Sequence, residues 1–217
     1  MSDTDDRCRL VLILPPSSDL DQQARQLEEA LAAGDVATVI LPQYERDDQQ
    51  FQSVAERLVP IVQAHDAAVL IAGDSRIAGR AKADGLHFEG SAEDLHDTLS
   101  KHTPKMIVGA GGASDRHRAL EIGEAQPDYI FFGKLDGDIK PEPHPKNLGL
   151  GEWWASMVEI PCVVMGGNEV SSVVAVAQTG AEFVALRTAI FGHPDGPAAA
   201  VAAANAFLDE KAPRFEA

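Results

Sequence analysis

Two segments near the C-terminus carry residue types suited to holding an anion. The apolar run Cys162 to Met165 leads into Gly166-Gly167-Asn168, and a helix is predicted from Val170. Two successive glycines let backbone N–H groups come close to an oxygen-rich ligand, and a following helix N-terminus favours negative charge. The next apolar run, Phe183 to Leu186, leads into Arg187-Thr188, which adds a guanidinium and a hydroxyl. Each feature has a plainer reading. The glycines close a tight turn without a ligand, Thr188 packs within a strand, and Arg187 serves a surface ion pair. Their occurrence at the ends of consecutive apolar runs points to a small phosphorylated ligand.

Elements of matching period must present these residues. Eight apolar runs of strand length recur along the chain: Leu10 to Leu14, Val36 to Leu41, Ala67 to Ala72, Gly85 to Phe88, Met106 to Gly109, Tyr129 to Phe132, Cys162 to Met165 and Phe183 to Leu186. Runs this continuously apolar read as parallel strands buried on both faces. Helical patterns fit Asp19 to Gly34, Asp47 to Ala64, Ser91 to Ser100, Ser114 to Ala125, Val170 to Thr179 and Pro197 to Glu210. The first is the clearest, with Leu20, Ala24, Leu27, Ala30 and Leu31 on one stripe and Gly34 as its stop. Eight βα units predict a single-domain (β/α)8 TIM barrel rather than an open doubly wound sheet. In such a barrel the loops after strands seven and eight form the usual phosphate cradle, where Gly166, Gly167, Arg187 and Thr188 fall. A long connection, Gly133 to Gly149, follows the sixth run and is expected on the same face.

Bulk properties narrow the partners. The 217 residues suit one domain; residues 1–9 read as a disordered acidic leader, 10–210 as the barrel and 211–217 as a C-terminal tail. A net charge of −16 argues against nucleic acid or an anionic membrane, because both are polyanions bound through Lys and Arg. Cys8 and Cys162 offer neither a disulfide framework nor a CxxC metal site, and no apolar stretch approaches a membrane span, so a cytoplasmic protein is expected. A homo-oligomer is left open.

Several short motifs then fall in a telling order: Lys82-Ala83-Asp84-Gly85-Leu86-His87, Ile107-Val108-Gly109, Asp128-Tyr129-Ile130, Lys140-Pro141, Leu148-Gly149-Leu150, Met165-Gly166-Gly167 and Thr188-Ala189-Ile190. In this order they resemble the thiamine phosphate synthase family, whose close relatives include a thiazole tautomerase. The resemblance implies coupling of a hydroxymethylpyrimidine diphosphate to a thiazole phosphate, with release of diphosphate and with magnesium as cofactor. It further implies that Gly166, Gly167, Arg187 and Thr188 hold the thiazole phosphate, that Lys140 faces the diphosphate as the catalytic cation, and that Asp74 binds magnesium. Lys140 also reads as a solvated loop lysine, and Asp74 as a helix N-cap.

Departures from the family pattern accompany these matches. After the second run the family has Gln-Leu-Arg with a Lys two residues on, whereas this chain has Ile40-Leu41-Pro42-Gln43-Tyr44. The fourth-run segment that carries a second metal carboxylate becomes Glu89-Gly90-Ser91-Ala92, leaving Glu89 as its candidate replacement. Gly109-Ala110-Gly111-Gly112 replaces the signatures expected after the fifth run, either as a close approach to a ligand or as a flexible loop. His87 reads as a hydrogen-bonded core histidine. These losses favour, as an alternative, a catalytically degenerate barrel that binds a thiazole or thiamine phosphate as a sensor, or another phosphometabolite enzyme such as a tautomerase.

Overall fold

Each apolar run pairs in parallel with the run that follows it, and the last pairs with the first. The computed structural model describes residues 6–215. It places β1 (Arg9–Ile13), β2 (Thr38–Pro42), β3 (Ala68–Ala72), β4 (Gly85–Phe88), β5 (Ile107–Ala110), β6 (Tyr129–Phe132), β7 (Cys162–Met165) and β8 (Phe183–Leu186) in one closed barrel. Closure leaves no edge strand, so every strand has a ladder on both sides.

Side-chain alternation along these strands divides the core in two. Val11, Ile13, Ile40, Leu70, Tyr129, Phe131, Val163, Met165 and Ala185 fill the barrel interior. Alternate residues, such as Leu10, Leu12, Val39, Leu41, Val69 and Ile71, face the helices. Each strand is thus apolar on both sides, which explains the continuous runs.

The helical ring comprises α1 (Leu20–Ala32), α2 (Asp48–Gln63), α3 (Ser75–Ala81), α4 (Ala92–His102), α5 (Arg116–Glu124), α6 (Pro145–Ala155), α7 (Val173–Ala177), α8 (Thr188–Phe191) and α9 (Gly196–Lys211). Side-chain oxygens cap several N-termini: Asp19, Asp47, Asp74, Ser91 and Asp115 each accept a backbone N–H of the first turn. Asp47 and Gln50 complete a reciprocal capping box. Three differences from the sequence reading have local causes. The connection after β6 ends at His144 rather than Gly149, because Pro145 takes the first helical position, where its missing N–H costs nothing. The short helices α3 and α8 span too few residues to show a stripe. The helix expected from Val170 to Thr179 opens as a 3₁₀ turn, Val170–Ser172, before α7.

The ends also pack. Arg7 is buried and donates to the Asp209 carboxylate, the Cys8 carbonyl and Asn205 Oδ1, while Arg7 and Arg214 form an antiparallel bridge. Residues 6–8 and 212–215 therefore belong to the folded body, and β1 begins at Arg9 rather than after it; residues 1–5 and 216–217 lie outside the described residues.

Acidic residues ring the N-terminal mouth. Asp84, Asp128 and Glu182, each directly preceding an even-numbered strand, accept N–H groups of Val69, Val108 and Cys162 on the strand before. Asp35 holds Arg9 through two hydrogen bonds. Asp84 and Asp128, two of the motif residues singled out above, thus serve the barrel's stability rather than its catalytic face.

Both cysteines lie inside this core with no exposed surface, and burial pushes each thiol pKa far above its ordinary value. Since the thiolate is the reacting form, the folded protein is expected to resist iodoacetamide at pH 8. Two alkylations appear only after denaturant is added; labelling of the folded chain, read by intact mass, would contradict this burial.

Candidate functional site

The residues selected as ligand or metal candidates lie at the C-terminal mouth, Gly166, Gly167, Arg187, Lys140, Asp74 and Glu89 beyond the strand ends and Thr188 at the start of α8. An apolar pit of about 260 Å³, lined in part by Val11, Leu70, Tyr129 and Val163, opens at the opposite mouth. It holds little polar surface suited to a phosphate, so the chemistry is assigned to the C-terminal loops.

The turn after β7 directs four N–H groups, and the protein uses all of them. Gly166 N–H donates to the Ala185 carbonyl (2.9 Å), Gly167 N–H to Ser172 Oγ (3.0 Å), Asn168 N–H to the Lys140 carbonyl (2.8 Å) and Glu169 N–H to the Pro141 carbonyl (3.4 Å). A Cβ at Gly167 would collide with that Pro141 carbonyl, so this glycine admits the β6–α6 loop. The close backbone approach expected from the sequence is present, and its partner here is the protein's own chain.

At the end of β8, Arg187 reaches Asp138 of the same β6–α6 loop, with Nη2 and Nε at 2.8 Å and 3.0 Å from Oδ1. Oδ2 of Asp138 accepts the Thr188 N–H at the start of α8. The Asp138 side chain is wholly buried, whereas neighbouring Ile139 is 78% exposed. Tyr44, held at φ 50° after β2, lies beside Arg187 and donates its hydroxyl to the Leu14 carbonyl at 2.8 Å. Burial pushes the Tyr44 phenol up against the opposing effect of the Arg187 charge. Arg46 extends to the Ser17 carbonyl, 3.0 Å away. Loops from β1, β2, β6, β7 and β8 are thereby tied together.

Lys140 projects from this loop with an exposed side chain, and no ion pair holds it among the described residues. Asp74 caps α3 through Arg76 N–H (2.8 Å) and meets the Arg76 guanidinium at 2.6 Å. That Arg76 hydrogen bond holds its carboxyl down at about 2. Together they border a polar hollow of about 340 Å³ with Arg80, Asp48 and Gln52.

Glu89, at the end of β4, faces a different group. His87 is buried inside the barrel and stands 2.7 Å from the Tyr129 hydroxyl through Nδ1. Its Nε2 lies 3.6 Å from Glu89 Oε1, beyond ordinary hydrogen-bond length, and is otherwise unpartnered. Because a carboxylate only accepts, this arrangement suits Nε2–H, with Nδ1 accepting from Tyr129. His87 lowers the Glu89 pKa against the effect of burial, so Glu89 is an anion at neutral pH rather than a carboxyl tuned upward for base catalysis. Gly111 allows the pair to meet, since a Cβ there would lie 2.7 Å from Glu89 Oε1 and 2.9 Å from His87 Nε2.

Among the described residues, no group of three or more His, Cys, Asp or Glu side chains is placed to hold a metal ion. Asp74 is committed to Arg76 and Glu89 stands beside His87, so the arrangement does not fit the expected magnesium site. Asp138 and Tyr44 escaped the sequence reading. The only signal for Asp138 was its position two residues before Lys140 in a long Gly- and Asp-containing loop.

Comparisons with known proteins agree with this architecture. Residues 10–190 match the family model described as thiamine monophosphate synthase. A thiamine-phosphate synthase of Rhodospirillum centenum is 37% identical, covering 91% of this chain and 96% of that protein. One of Hyphomonas neptunium is 35% identical, covering 95% and 96%. Among solved structures, thiamine phosphate pyrophosphorylase from Pyrococcus furiosus superposes with a TM-score of 0.77 at 19% identity, covering 95% of this chain and 98% of that one, a likeness of fold.

Proposed function

Since the chain belongs to the thiamine monophosphate synthase family, we propose that it makes thiamine phosphate by joining a hydroxymethylpyrimidine diphosphate to a thiazole phosphate. The thiazole nitrogen forms the new C–N bond to the pyrimidine methylene carbon, the C–O bond breaks, and diphosphate leaves with the electron pair. The observation that carries this reading is the family match over most of the barrel, with Arg187 and Lys140 on loops of one mouth.

Arg187 and the N–H of Thr188 are assigned to the thiazole phosphate, beside the Gly166-Gly167 turn. A guanidinium pairs with two phosphate oxygens in a fixed fork, which orients the ester as well as binding it. Lys140 is assigned to the departing diphosphate, whose growing charge an ammonium stabilises best where water is scarce. Magnesium would add to that neutralisation in the synthases this chain resembles. Asp74, held by Arg76, and Glu89, beside His87, are not arranged to hold it here, so no step is routed through it.

The test is product formation from the two substrates, with and without magnesium, by the purified protein and its Arg187→Met variant. Thiamine phosphate and diphosphate are expected in equal amounts. Loss of a charge-assisted contact worth about 1.5–3 kcal/mol is expected to raise KM for the thiazole phosphate by about 10- to 150-fold, leaving KM for the pyrimidine diphosphate little changed. No turnover beside an active synthase would refute the activity. An unchanged thiazole phosphate KM would move the phosphate away from Arg187.

A further inference from the structure

We propose that Asp138 is a built-in surrogate for the substrate phosphate, a carboxylate that occupies the cradle in the free protein and must be displaced for the phosphate to bind. This inference rests on assigning the phosphate to Arg187 and Thr188. It concerns how that site is kept before substrate arrives.

Three observations carry it. First, the Asp138 carboxylate takes the Arg187 guanidinium through one oxygen and the Thr188 N–H through the other. These are the donors an incoming phosphate monoester would use, and a carboxylate is the protein's nearest match in charge and oxygen geometry. Second, its side chain is entirely buried although it sits on a loop whose next residue is 78% exposed, so this one side chain turns inward from an exposed stretch. Third, the same loop supplies the Lys140 and Pro141 carbonyls that occupy the Asn168 and Glu169 N–H groups beside the glycine turn. Donors at the ends of both β7 and β8 are thereby satisfied by oxygen atoms of the β6–α6 loop. The Asp138 carboxylate is itself wholly buried, and a buried carboxylate cannot stay unpaired cheaply; Arg187 and Thr188 answer that demand without a ligand.

Exchange is physically reasonable. The carboxylate brings one negative charge and two oxygens, whereas a phosphate monoester near neutral pH brings up to two charges and three terminal oxygens, so it competes well for the partly buried Arg187 guanidinium. The released Asp138 gains water, and its loop carries two points of backbone freedom, Gly133, whose φ of 132° only glycine adopts easily, and Gly137. Displacement also moves Lys140, two residues along. Occupation of the phosphate site is thereby linked to the position of the cation assigned to the diphosphate.

Calorimetric titration with inorganic phosphate tests the proposal on the wild type, Asp138→Asn, Asp138→Ser and Arg187→Met. Both Asp138 variants are expected to bind phosphate at least tenfold more tightly than the wild type, because the internal competitor has lost its charge. Arg187→Met is expected to lose binding. Equal or weaker binding by the Asp138 variants, with binding still dependent on Arg187, would overturn the surrogate and leave the cradle standing. Indifference to Arg187, in phosphate affinity and in thiazole phosphate KM alike, would overturn the cradle and the surrogate together. Should the Asp138 variants not fold, hydrogen exchange of wild-type residues 133–144 decides: acceleration by saturating phosphate supports displacement, and unchanged protection refutes it.

Discussion

Lys140→Met is expected to lower kcat by about 10²- to 10³-fold, the usual cost of removing a donor that stabilises charge developing in a transition state. Few other groups share that task. Gln43 and Tyr44 follow β2 where the resemblance leads one to expect basic residues, and Arg46 is turned toward the Ser17 carbonyl. No cluster of metal-binding side chains is present among the described residues. In the proposed reaction Lys140 is the cation assigned to the charge of departing diphosphate. Its side chain is exposed, so the substitution is expected to leave folding stability within about 0.5 kcal/mol, and phosphate affinity at Arg187 should persist. Steady-state kinetics with a parallel urea melt separates the two effects. A kcat reduced less than threefold would transfer the role to another cation, with Lys134 on the same loop the next to replace.

Trp154→Ala is expected to destabilise the fold by about 3–5 kcal/mol, the range for emptying a large aromatic site in a core. Trp154 lies on α6 at 1% exposure, meets Phe132 of β6 edge to face and donates Nε1–H to the Ile160 carbonyl at 2.7 Å. Its ring also fills the space left by Gly123 on α5, where a Cβ would lie 2.7 Å away. Truncation removes the packing of three elements and leaves a carbonyl without its donor. Urea denaturation measures the loss, and a change below 1.5 kcal/mol, about half the low end of that range, would show that α6 re-packs.

The strands were legible because burial on two faces demands uninterrupted apolar runs. Tyr129 to Phe132, Cys162 to Met165 and Phe183 to Leu186 appear in the structure with the boundaries their composition suggests. Long helices with acidic or hydroxyl caps were equally plain. Short ones were not: the seven residues of α3 and four of α8 carry no readable period, and their packing alone makes them helical. Gly167 shows the same limit at the site. Its type announces a close approach, yet only the assembled barrel shows that the approaching oxygen belongs to Pro141.

By itself, then, the sequence determined a (β/α)8 barrel and a cluster of phosphate-suited residues at one mouth, because strand burial and glycine geometry are local demands written in consecutive residues. Tertiary structure alone decided the occupants of those donors. Asp138 and Arg187 are 49 positions apart in the chain, and a contact between them follows from barrel closure rather than from any spacing. The anion site read from Gly166, Gly167, Arg187 and Thr188 is therefore a set of donors already engaged, the Gly166 and Gly167 N–H groups by Ala185 and Ser172 and the Arg187 and Thr188 donors by Asp138 of the β6–α6 loop, contacts that no spacing in the sequence announces.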